Sequence, residues 1–535
     1  MASTDRHYWI RARLPSGSWH EVLSMKSSAP RWKLLLFLLA LPFVLLAGFR
    51  LSPLEETGWG GAAAILAIVL ALVLATIWLI LFSRLSWSRR LLGLVLLSFL
   101  GVGLRFSVRK EGHMGNFFPH LAWKWSPKSD EVADSLDITS STRDATISTS
   151  LPGDFPYFLG PNRDNWVSGS LLAPDWHEQT PRELWRRDIG LGWSSFSVAG
   201  PYAYTMEQRG DEELTVCYEA RTGSPIWVHS ENARFSESMG GDGPRSTPAI
   251  HQGHVYSLGA EGLLLCLDGL TGEMKWKRDT LAEAEQKNLT WAKSSSPIIV
   301  DDTVVITLGN SKDRSLAAFD CVTGEPRWRE GEDRSSYATP VLATLAGKRQ
   351  IVALNGGGVS SHDPANGTIL WSHKIGNASA HAASPLIIGD SQVLVSVGYG
   401  RGAWLLDITP EGATEVWQSN KFKTKFADTV LRDDHVYGLD EGKLTCLRLS
   451  DGKRAWRGTR FKHGQMLGVG DKLLIQAEAG EIAIVAAEPD EERILHKFDA
   501  LSGKTWNHPV LAGRLLLVRN DREAIVYEYP GNDSN

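Results

Sequence analysis

Residues 267–276 read Leu-Asp-Gly-Leu-Thr-Gly-Glu-Met-Lys-Trp, and this stretch decides the fold because it recurs along the chain. An acid stands eight residues before the tryptophan and a glycine stands four before it. The other copies, some looser, end at Trp227, Trp328, Trp371, Trp417 and Trp456, and the copy at Trp417 carries two extra residues. Their mean spacing of about 46 residues is typical of four-stranded propeller blades.

Each copy predicts a tight turn between two strands, followed by an indole ring. Glycine supplies the positive φ that the turn needs, and Asp or Thr bonds to nearby backbone N–H groups. The flat, stiff tryptophan ring suits packing between neighbouring sheets. We therefore expect a structural, blade-docking role for Trp185, Trp227, Trp276, Trp328, Trp371, Trp417 and Trp456.

A second signal marks the innermost strand of a blade. Pairs such as Thr247-Pro248 and Ser296-Pro297 precede an alternating strand, and proline is tolerated at a first strand position. Counting both signals gives seven blades near 193–228, 245–277, 292–329, 336–372, 380–418, 424–457 and 462–499.

The eighth blade runs from Thr505 to about Tyr529 and is one strand short. The strand around Trp185 can complete it, and closing the ring in this way removes sheet edges. The sequence therefore predicts an all-β, eight-bladed β-propeller of four-stranded antiparallel blades over 155–530, with a tail at 531–535.

Three apolar runs before the propeller predict an α-helical membrane anchor of two or three transmembrane helices. They cover about 34–51, 60–82 and 91–106. A spanning helix needs about 20 apolar residues, so the third run is marginal. Its alternative is a helix that lies on or partly in the membrane. Residues 107–154 have no clear period and are rich in Ser and Thr near their end, so we expect a flexible linker.

Charge around these runs predicts their orientation. Six cations face two acids before the first run, so the positive-inside rule makes residues 1–33 a cytoplasmic segment. With three crossings, the propeller is periplasmic or extracellular and the helices lie in a bacterial inner membrane. If the third run does not cross, the propeller is cytoplasmic.

Composition excludes several classes of function. The chain has 56 Lys and Arg against 61 Asp and Glu, and this net charge of −5 excludes a strongly basic nucleic-acid-binding protein. Four cysteines in 535 residues exclude a disulfide scaffold. Zinc-binding spacings, phosphate-binding loops and nucleophile elbows do not occur in the sequence, so we expect no metal site.

The repeated Asp-x-x-Thr-Gly-x-x-x-Trp turns resemble those of the pyrroloquinoline-quinone-like (PQQ-like) eight-bladed propellers. That superfamily includes quinoprotein dehydrogenases and the propeller lipoprotein of the bacterial outer-membrane assembly machinery. Four further stretches resemble a bacterial subfamily of PQQ-like repeat proteins, namely 158–164, 207–212, 240–245 and 504–509. The resemblance covers about 155–530 and implies the fold more strongly than an activity.

The resemblance leaves two functions open. The dehydrogenases of this superfamily imply a PQQ cofactor with calcium, yet the alcohol-dehydrogenase type carries adjacent disulfide-bonded cysteines and long insertions that this chain lacks. We therefore expect a membrane-anchored, non-catalytic propeller without a cofactor, acting as an extracytoplasmic binding or scaffold module. The alternative is a membrane-bound PQQ-dependent dehydrogenase that oxidises sugars or alcohols. A sensor that signals through its helices ranks last, because the N-terminal segment contains no output domain.

Residues just before the innermost strands should rim one mouth of the central channel. Converging cations and imidazoles there favour an anionic ligand, and tryptophans could stack on a planar one. The predicted ligand-binding residues are Arg245, Trp291, Lys293, Tyr337, His381, Lys425, His463, Gln465, Trp506, Asn507 and His508. The alternative is that these groups bond backbone carbonyls and pair with carboxylates. The expected partners are the membrane and a protein, peptide or small anionic ligand.

Overall fold

The computed structural model describes residues 30–52, 60–113, 119–126, 136, 153–167, 181–309, 314–376 and 380–529. The chain divides into two compact units. One is built from long helices, and the other contains all the described strands. Most of the predicted N-terminal segment, the Ser/Thr-rich part of the predicted linker and the predicted tail lie outside the described residues.

The helical unit contains three apolar helices. They are α1 (Trp32–Arg50), α2 (Gly60–Ile77, continued by a π-helical turn at Trp78–Phe82) and α3 (Trp87–Ser107). Each is long and apolar enough to cross a membrane. The third begins four residues earlier than predicted. Arg90 falls inside it, and this side chain donates to the carbonyls of Leu85 and Ile80 at 2.9 and 2.5 Å, satisfying groups at the preceding helix end.

A two-stranded antiparallel ribbon follows α3, within the region predicted as a flexible linker. Its strands are β1 (Val108–His113) and β2 (Pro119–Trp123), with Val108 opposite Trp123. The structure therefore differs from the linker prediction at these residues. The alternation of Pro119, Leu121 and Trp123 is the sequence pattern that could have predicted a strand here.

Eight sheets form the propeller, and the eight-bladed, four-stranded antiparallel fold is confirmed. Blades 1 to 4 consist of β5 (Ser197–Ala199), β6 (Tyr202–Arg209), β7 (Glu212–Glu219), β8 (Pro225–Glu231); β9 (Ala249–His251), β10 (His254–Leu258), β11 (Leu263–Asp268), β12 (Met274–Asp279); β13 (Ile298–Val300), β14 (Thr303–Thr307), β15 (Leu316–Asp320), β16 (Pro326–Glu330); and β17 (Val341–Leu345), β18 (Lys348–Leu354), β19 (Gly358–His362), β20 (Ile369–Lys374). A short helix, α4 (Thr280–Glu283), follows blade 2.

Blades 5 to 8 consist of β21 (Leu386–Ile388), β22 (Gln392–Val397), β23 (Gly402–Thr409), β24 (Gly412–Ser419); β25 (Val430–Arg432), β26 (His435–Asp440), β27 (Lys443–Arg448), β28 (Arg454–Arg460); β29 (Gln465–Val469), β30 (Lys472–Gln476), β31 (Glu481–Ala486), β32 (Arg493–Asp499); and β33 (Val510–Ala512), β34 (Leu515–Arg519), β35 (Glu523–Glu528), β4 (Arg182–Asp188). Blade 7 gains a fifth strand, β3 (Trp166–Val167), which runs parallel to β29.

The predicted ring closure is confirmed, because β4 is the fourth strand of blade 8 and Trp185 lies opposite Val526. Buried Arg519 strengthens the seam between blades 8 and 1. Its guanidinium donates to Thr205 Oγ1 at 2.6 Å and to the Met206 and Gly190 carbonyls at 2.9 and 3.1 Å. Each of these bonds joins the last blade to residues at the start of the ring.

The first strands of neighbouring blades lie next to one another, as expected for the strands nearest the axis. Side chains just before these strands link one blade to the next. The Ser195 amide donates to Thr247 Oγ1, the Thr247 amide to Ser296 Oγ, and the Ser296 amide to Thr339 Oγ1, each at 3.0 Å. The Ser-Pro and Thr-Pro pairs therefore supply the hydrogen bonds of an inner ring.

Six of the seven repeated tryptophans lie against the turn of the next blade. Trp276, for example, donates its Nε1 to the Cys321 carbonyl at 2.9 Å, and its ring lies against Gly324. A Cβ on that glycine would come within 2.6 Å of the ring, so the position needs both the positive φ and the missing side chain. The indoles of Trp185, Trp227, Trp328, Trp417 and Trp456 bond in the same way to Ala220, Gly269, Pro364, Leu449 and Glu488.

Two blades depart from this pattern. Trp371 bonds to Gln350 in its own blade at 2.6 Å, because the turn of blade 5 is a two-residue connection between β23 and β24. Blade 7 has His496 at the tryptophan position, opposite Ile484. Its neighbour, blade 8, joins two distant parts of the chain, β35 and β4, and so has no turn there for an indole to contact.

Candidate functional site: a blind aromatic cavity in the channel

Residues 153–167, which we call the plug, cross one end of the channel. Phe155 forms a β-bridge with Val198 of blade 1, and the Pro156 carbonyl accepts from the Ile250 amide of blade 2. Arg163 donates to the Ile299 carbonyl of blade 3 at 3.3 Å. The plug therefore contacts the first strands of three consecutive blades and continues into β3 on blade 7.

Asn165 holds the plug at the opposite side of the ring. Its Nδ2 donates to the carbonyls of Thr429 and Met466 at 3.2 and 3.1 Å, and its Oδ1 accepts from His508 Nε2 at 2.8 Å. One fully buried amide thus joins blades 6, 7 and 8. The plug closes this end of the channel, which leaves a blind cavity on the other side.

The cavity has a volume of about 190 Å³ and its walls are mainly aromatic. Neighbouring rings contact one another: the centroids of Trp193 and Trp506 are 5.0 Å apart, and those of Phe426 and Trp506 are also 5.0 Å apart. On the other side, Trp291 and Tyr337 lie at 5.5 Å. The aromatic lining consists of Phe158, Trp193, Trp291, Tyr337, Tyr399, Phe426 and Trp506.

The inner ring supplies four of the polar residues in the lining. Blades 1 to 5 place a hydroxyl at the start of the first strand, whereas blades 6 to 8 place an acid, an amide and an imidazole there. The eight residues are Ser195, Thr247, Ser296, Thr339, Ser384, Asp428, Gln465 and His508, of which the last three and Thr339 line the cavity. The repeat is thus broken on one side of the cavity.

Asp428 is the carboxylate of the described cavity lining. Its Oδ1 accepts from the Ser384 amide at 2.6 Å, and burial raises its pKa to about 6. It also lines a second cavity of about 260 Å³, between the plug and the first strands of blades 4 and 5. Asp428 therefore lines both cavities.

Two cations belong to the wall of the cavity, Arg245 in the lining itself and Lys504 against two of the lining rings. Arg245 donates to the Gly243 and Gly241 carbonyls at 2.9 and 2.8 Å, and burial lowers its pKa to about 10. The Lys504 ammonium lies 4.5 and 4.3 Å from the ring centroids of Trp193 and Trp506, and burial lowers its pKa to about 8. Both groups are held against the wall rather than extended into solvent.

Six of the predicted ligand-binding residues line the cavity: Arg245, Trp291, Tyr337, Gln465, Trp506 and His508. The other five lie behind its wall and bond to protein groups, as the alternative reading expected. Lys293 is fully buried, donates to the Thr307 and Leu308 carbonyls, and has its pKa lowered by burial to about 7. Asn507 donates to the Ser194 carbonyl at 2.7 Å.

The remaining three predicted residues are equally enclosed. Lys425 Nζ lies 3.4 Å from Glu441 Oε2 and 3.5 Å from His463 Nε2. Burial, reinforced by the Lys425 charge, lowers the pKa of His463 well below its usual value. His381 donates its Nδ1 to the Asn355 carbonyl. Lys293, Lys425 and His381 therefore bond to protein carbonyls or a carboxylate instead of forming a ring of cations around the cavity.

Sequence reasoning missed Trp193, Tyr399, Phe426, Asp428 and Lys504. Trp193, Phe426 and Lys504 precede first strands, the same signal that identified Trp291. Asp428-Thr429 stands where blades 2 to 5 have a Ser-Pro or Thr-Pro pair, so the sequence alone could have placed Asp428 in the inner ring. Tyr399 comes from the β22–β23 loop instead, so no first-strand signal could place it beside the others.

A protein-family model described as "Outer membrane protein assembly factor BamB" matches residues 175–312 and 210–458, more than half of the chain. The chain belongs to this family. The assembly factor BamB of Bordetella pertussis is 22% identical over 315 residues, covering 54% of this chain and 74% of that protein.

Quinohaem relatives share the fold. The quinohemoprotein alcohol dehydrogenase of Comamonas testosteroni is 27% identical over 156 residues, 27% of this chain and 22% of that enzyme. Its crystal structure superposes with a TM-score of 0.54 at 12% identity, covering 71% of this chain and 81% of that one. At this identity the superposition shows the fold alone.

The cavity residues do not fit PQQ with calcium. Calcium takes six to eight oxygen ligands, several of them carboxylates. Asp428 is the single acid of the described lining, and no group of three or more His, Cys, Asp or Glu side chains in the described residues could hold a metal ion. The donor set therefore gives no support to quinone chemistry in this channel.

Proposed function

We propose that this protein is a non-catalytic binding module, anchored in the inner membrane with its propeller outside the cytoplasm. Its relatives are named outer membrane protein assembly factors, and we propose that its partner is likewise a protein or peptide of the cell envelope. The excess of cations before α1, together with three helices long enough to cross, supports this orientation.

The blind aromatic cavity carries the proposal. A volume of about 190 Å³ accommodates one or two large side chains rather than a whole cofactor. Aromatic walls that exclude water are typical of the pockets that receive anchor residues at protein interfaces. The positive charges of Arg245 in the lining and of Lys504 against its rings favour acidic residues beside the anchor. A small planar anion would satisfy the same groups.

Trp291 and Tyr337 provide the test. Full-length protein is crosslinked mildly in its own membranes, and retained proteins are compared for wild type, a Trp291→Ala/Tyr337→Ala variant, and Val416→Ala, an exposed change on β24 far from the cavity. We expect the cavity variant to lose a partner that Val416→Ala retains. The same retained set for all three would contradict the cavity as the binding site.

The alternative activity is tested on the same preparation. Purified full-length protein is mixed with PQQ and calcium, and dye reduction by sugars or alcohols is followed. We expect no reduction above a protein-free blank. Turnover that disappears in the cavity variant would establish a dehydrogenase instead. Protease accessibility of the propeller in intact and permeabilised cells tests its sidedness.

A further inference from the structure

The β1–β2 ribbon presents an exposed apolar face. Leu121 and Trp123 alternate along β2 and so point to the same side, and Trp125, just beyond the strand, packs against Trp123. The three side chains are 55%, 49% and 68% exposed. The two indoles are stacked, with centroids 4.9 Å apart and planes 10° apart. Large apolar side chains grouped in this way on a surface mark a docking face.

Cations lie on both faces of the ribbon, because Lys110 pairs with Leu121 and Arg109 pairs with Ala122. Arg109 donates to the carbonyls of Lys124 and Ser126 at 3.3 and 2.6 Å, which ties the two strands together past the end of β2. The Lys124 ammonium lies 5.8 Å from the Phe106 ring. The ribbon therefore combines exposed indoles with positive charge on both of its faces.

The position of the ribbon in the chain identifies what covers it. Val108, the first residue of β1, directly follows Ser107, the last residue of α3, and α3 is long and apolar enough to span a membrane. A segment that leaves a spanning helix emerges at the level of the lipid headgroups. Tryptophan is enriched there because its ring is amphipathic, and Lys and Arg bond lipid phosphates.

We propose that the ribbon binds the membrane surface, with Trp123 and Trp125 among the headgroups and Arg109 and Lys124 facing anionic lipid phosphates. Its other end contacts the channel mouth. His113 lines the aromatic cavity, its ring bonds the Ser238 carbonyl at 3.1 Å, and its own carbonyl accepts from Lys504 at 3.4 Å. Within its own unit, the ribbon therefore contacts the mouth of the cavity.

A fluorophore on the ribbon tests this contact in the full-length protein. All four native cysteines are buried, so Leu121→Cys can be labelled selectively. The protein is placed in nanodiscs of phosphatidylcholine and phosphatidylglycerol that contain a lipid with a nitroxide near its headgroup. Val322→Cys, at a 79% exposed position in a blade 3 turn, is the control. We expect the nitroxide to quench the ribbon label severalfold more than the control label.

A second variant separates lipid contact from mere tethering near the bilayer. Trp125 lies beyond β2, so Trp125→Asp leaves the strand pairing intact. In the Leu121→Cys background it should lower quenching to the control level, and omitting phosphatidylglycerol should lower it in part. Equal quenching at both labelled positions, or quenching that Trp125→Asp leaves unchanged, would overturn the proposal. Protection of the label by a co-purified protein rather than by lipid would also overturn it.

Discussion

The outer contacts between blades and the inner ring around the channel are built from the same repeat, yet they differ in how closely the copies agree. Six described indoles make the same bond to the next blade, and the departures at Trp371 and His496 coincide with altered or missing turns. The inner ring changes from hydroxyls in blades 1 to 5 to Asp428, Gln465 and His508 in blades 6 to 8. The repeated indole contacts between blades therefore stabilise the ring, and the change of residue type before the first strands of blades 6 to 8 gives the channel side chains that a site can use.

The largest expected effect is at an outer contact. Trp276→Ala removes an indole that fills the space between blades 2 and 3, and it leaves the Cys321 carbonyl with the Tyr256 hydroxyl as its remaining donor. We expect a loss of about 3–5 kcal/mol in the free energy of unfolding. Denaturant unfolding followed by circular dichroism measures it, with Val322→Ala as the surface control. A loss below about 1 kcal/mol would mean that the indoles do not hold the blades together.

Two glycines separate ring contact from backbone conformation. Gly324 and Gly513 both have positive φ, +71° and +55°, but a Cβ meets the Trp276 ring only at Gly324 and meets nothing within 4 Å at Gly513. Gly513→Ala should cost about 1–2 kcal/mol, the usual cost of the left-handed conformation. Gly324→Ala should cost clearly more. Equal losses in denaturant unfolding would show that φ alone selects glycine in these turns.

The inner ring should respond to pH. The folded-state pKa of Asp428, about 6, lies above its ordinary value of 3.8, so its ionisation opposes folding. The contribution of the protonated acid to the free energy of unfolding is complete below about pH 4 and is lost as the pH rises through about 6. Asp428→Asn should therefore stabilise the protein at pH 8 by about 1–3 kcal/mol and change nothing near pH 4. A gain independent of pH would contradict this origin.

The smallest effect on stability should come from the cavity wall. Trp291 is only partly buried, because its side chain lines the cavity, and the other residues around it include Tyr337, at a centroid distance of 5.5 Å. Trp291→Ala should change the unfolding free energy by about 1 kcal/mol or less, while the crosslinked partner is lost. Binding lost without unfolding would sharpen the contrast with Trp276. Strong destabilisation would instead assign Trp291 a structural role.

The sequence by itself determined the eight blades, the three apolar helices and the closure through Trp185. Each depends on a local pattern: a turn glycine at fixed distance from an indole, a run of apolar residues, or a strand without a partner. Where the pattern changed locally, as with Asp428 in place of Ser or Thr before a first strand, sequence reasoning missed the residue although its position matches that of Ser384 in the preceding blade.

Only the tertiary structure decided which of those residues face the cavity. Lys293, Lys425 and His463 precede first strands just as Trp291 does, but their side chains contact buried protein groups. Lys293 donates to a carbonyl, and Lys425 lies beside both the Glu441 carboxylate and the His463 ring. A buried cation must be paired, and its partner lies on another strand or another blade, so spacing along the chain cannot reveal it. The plug depends even more on the closed ring, because Asn165 bonds to three blades more than 260 residues away in sequence.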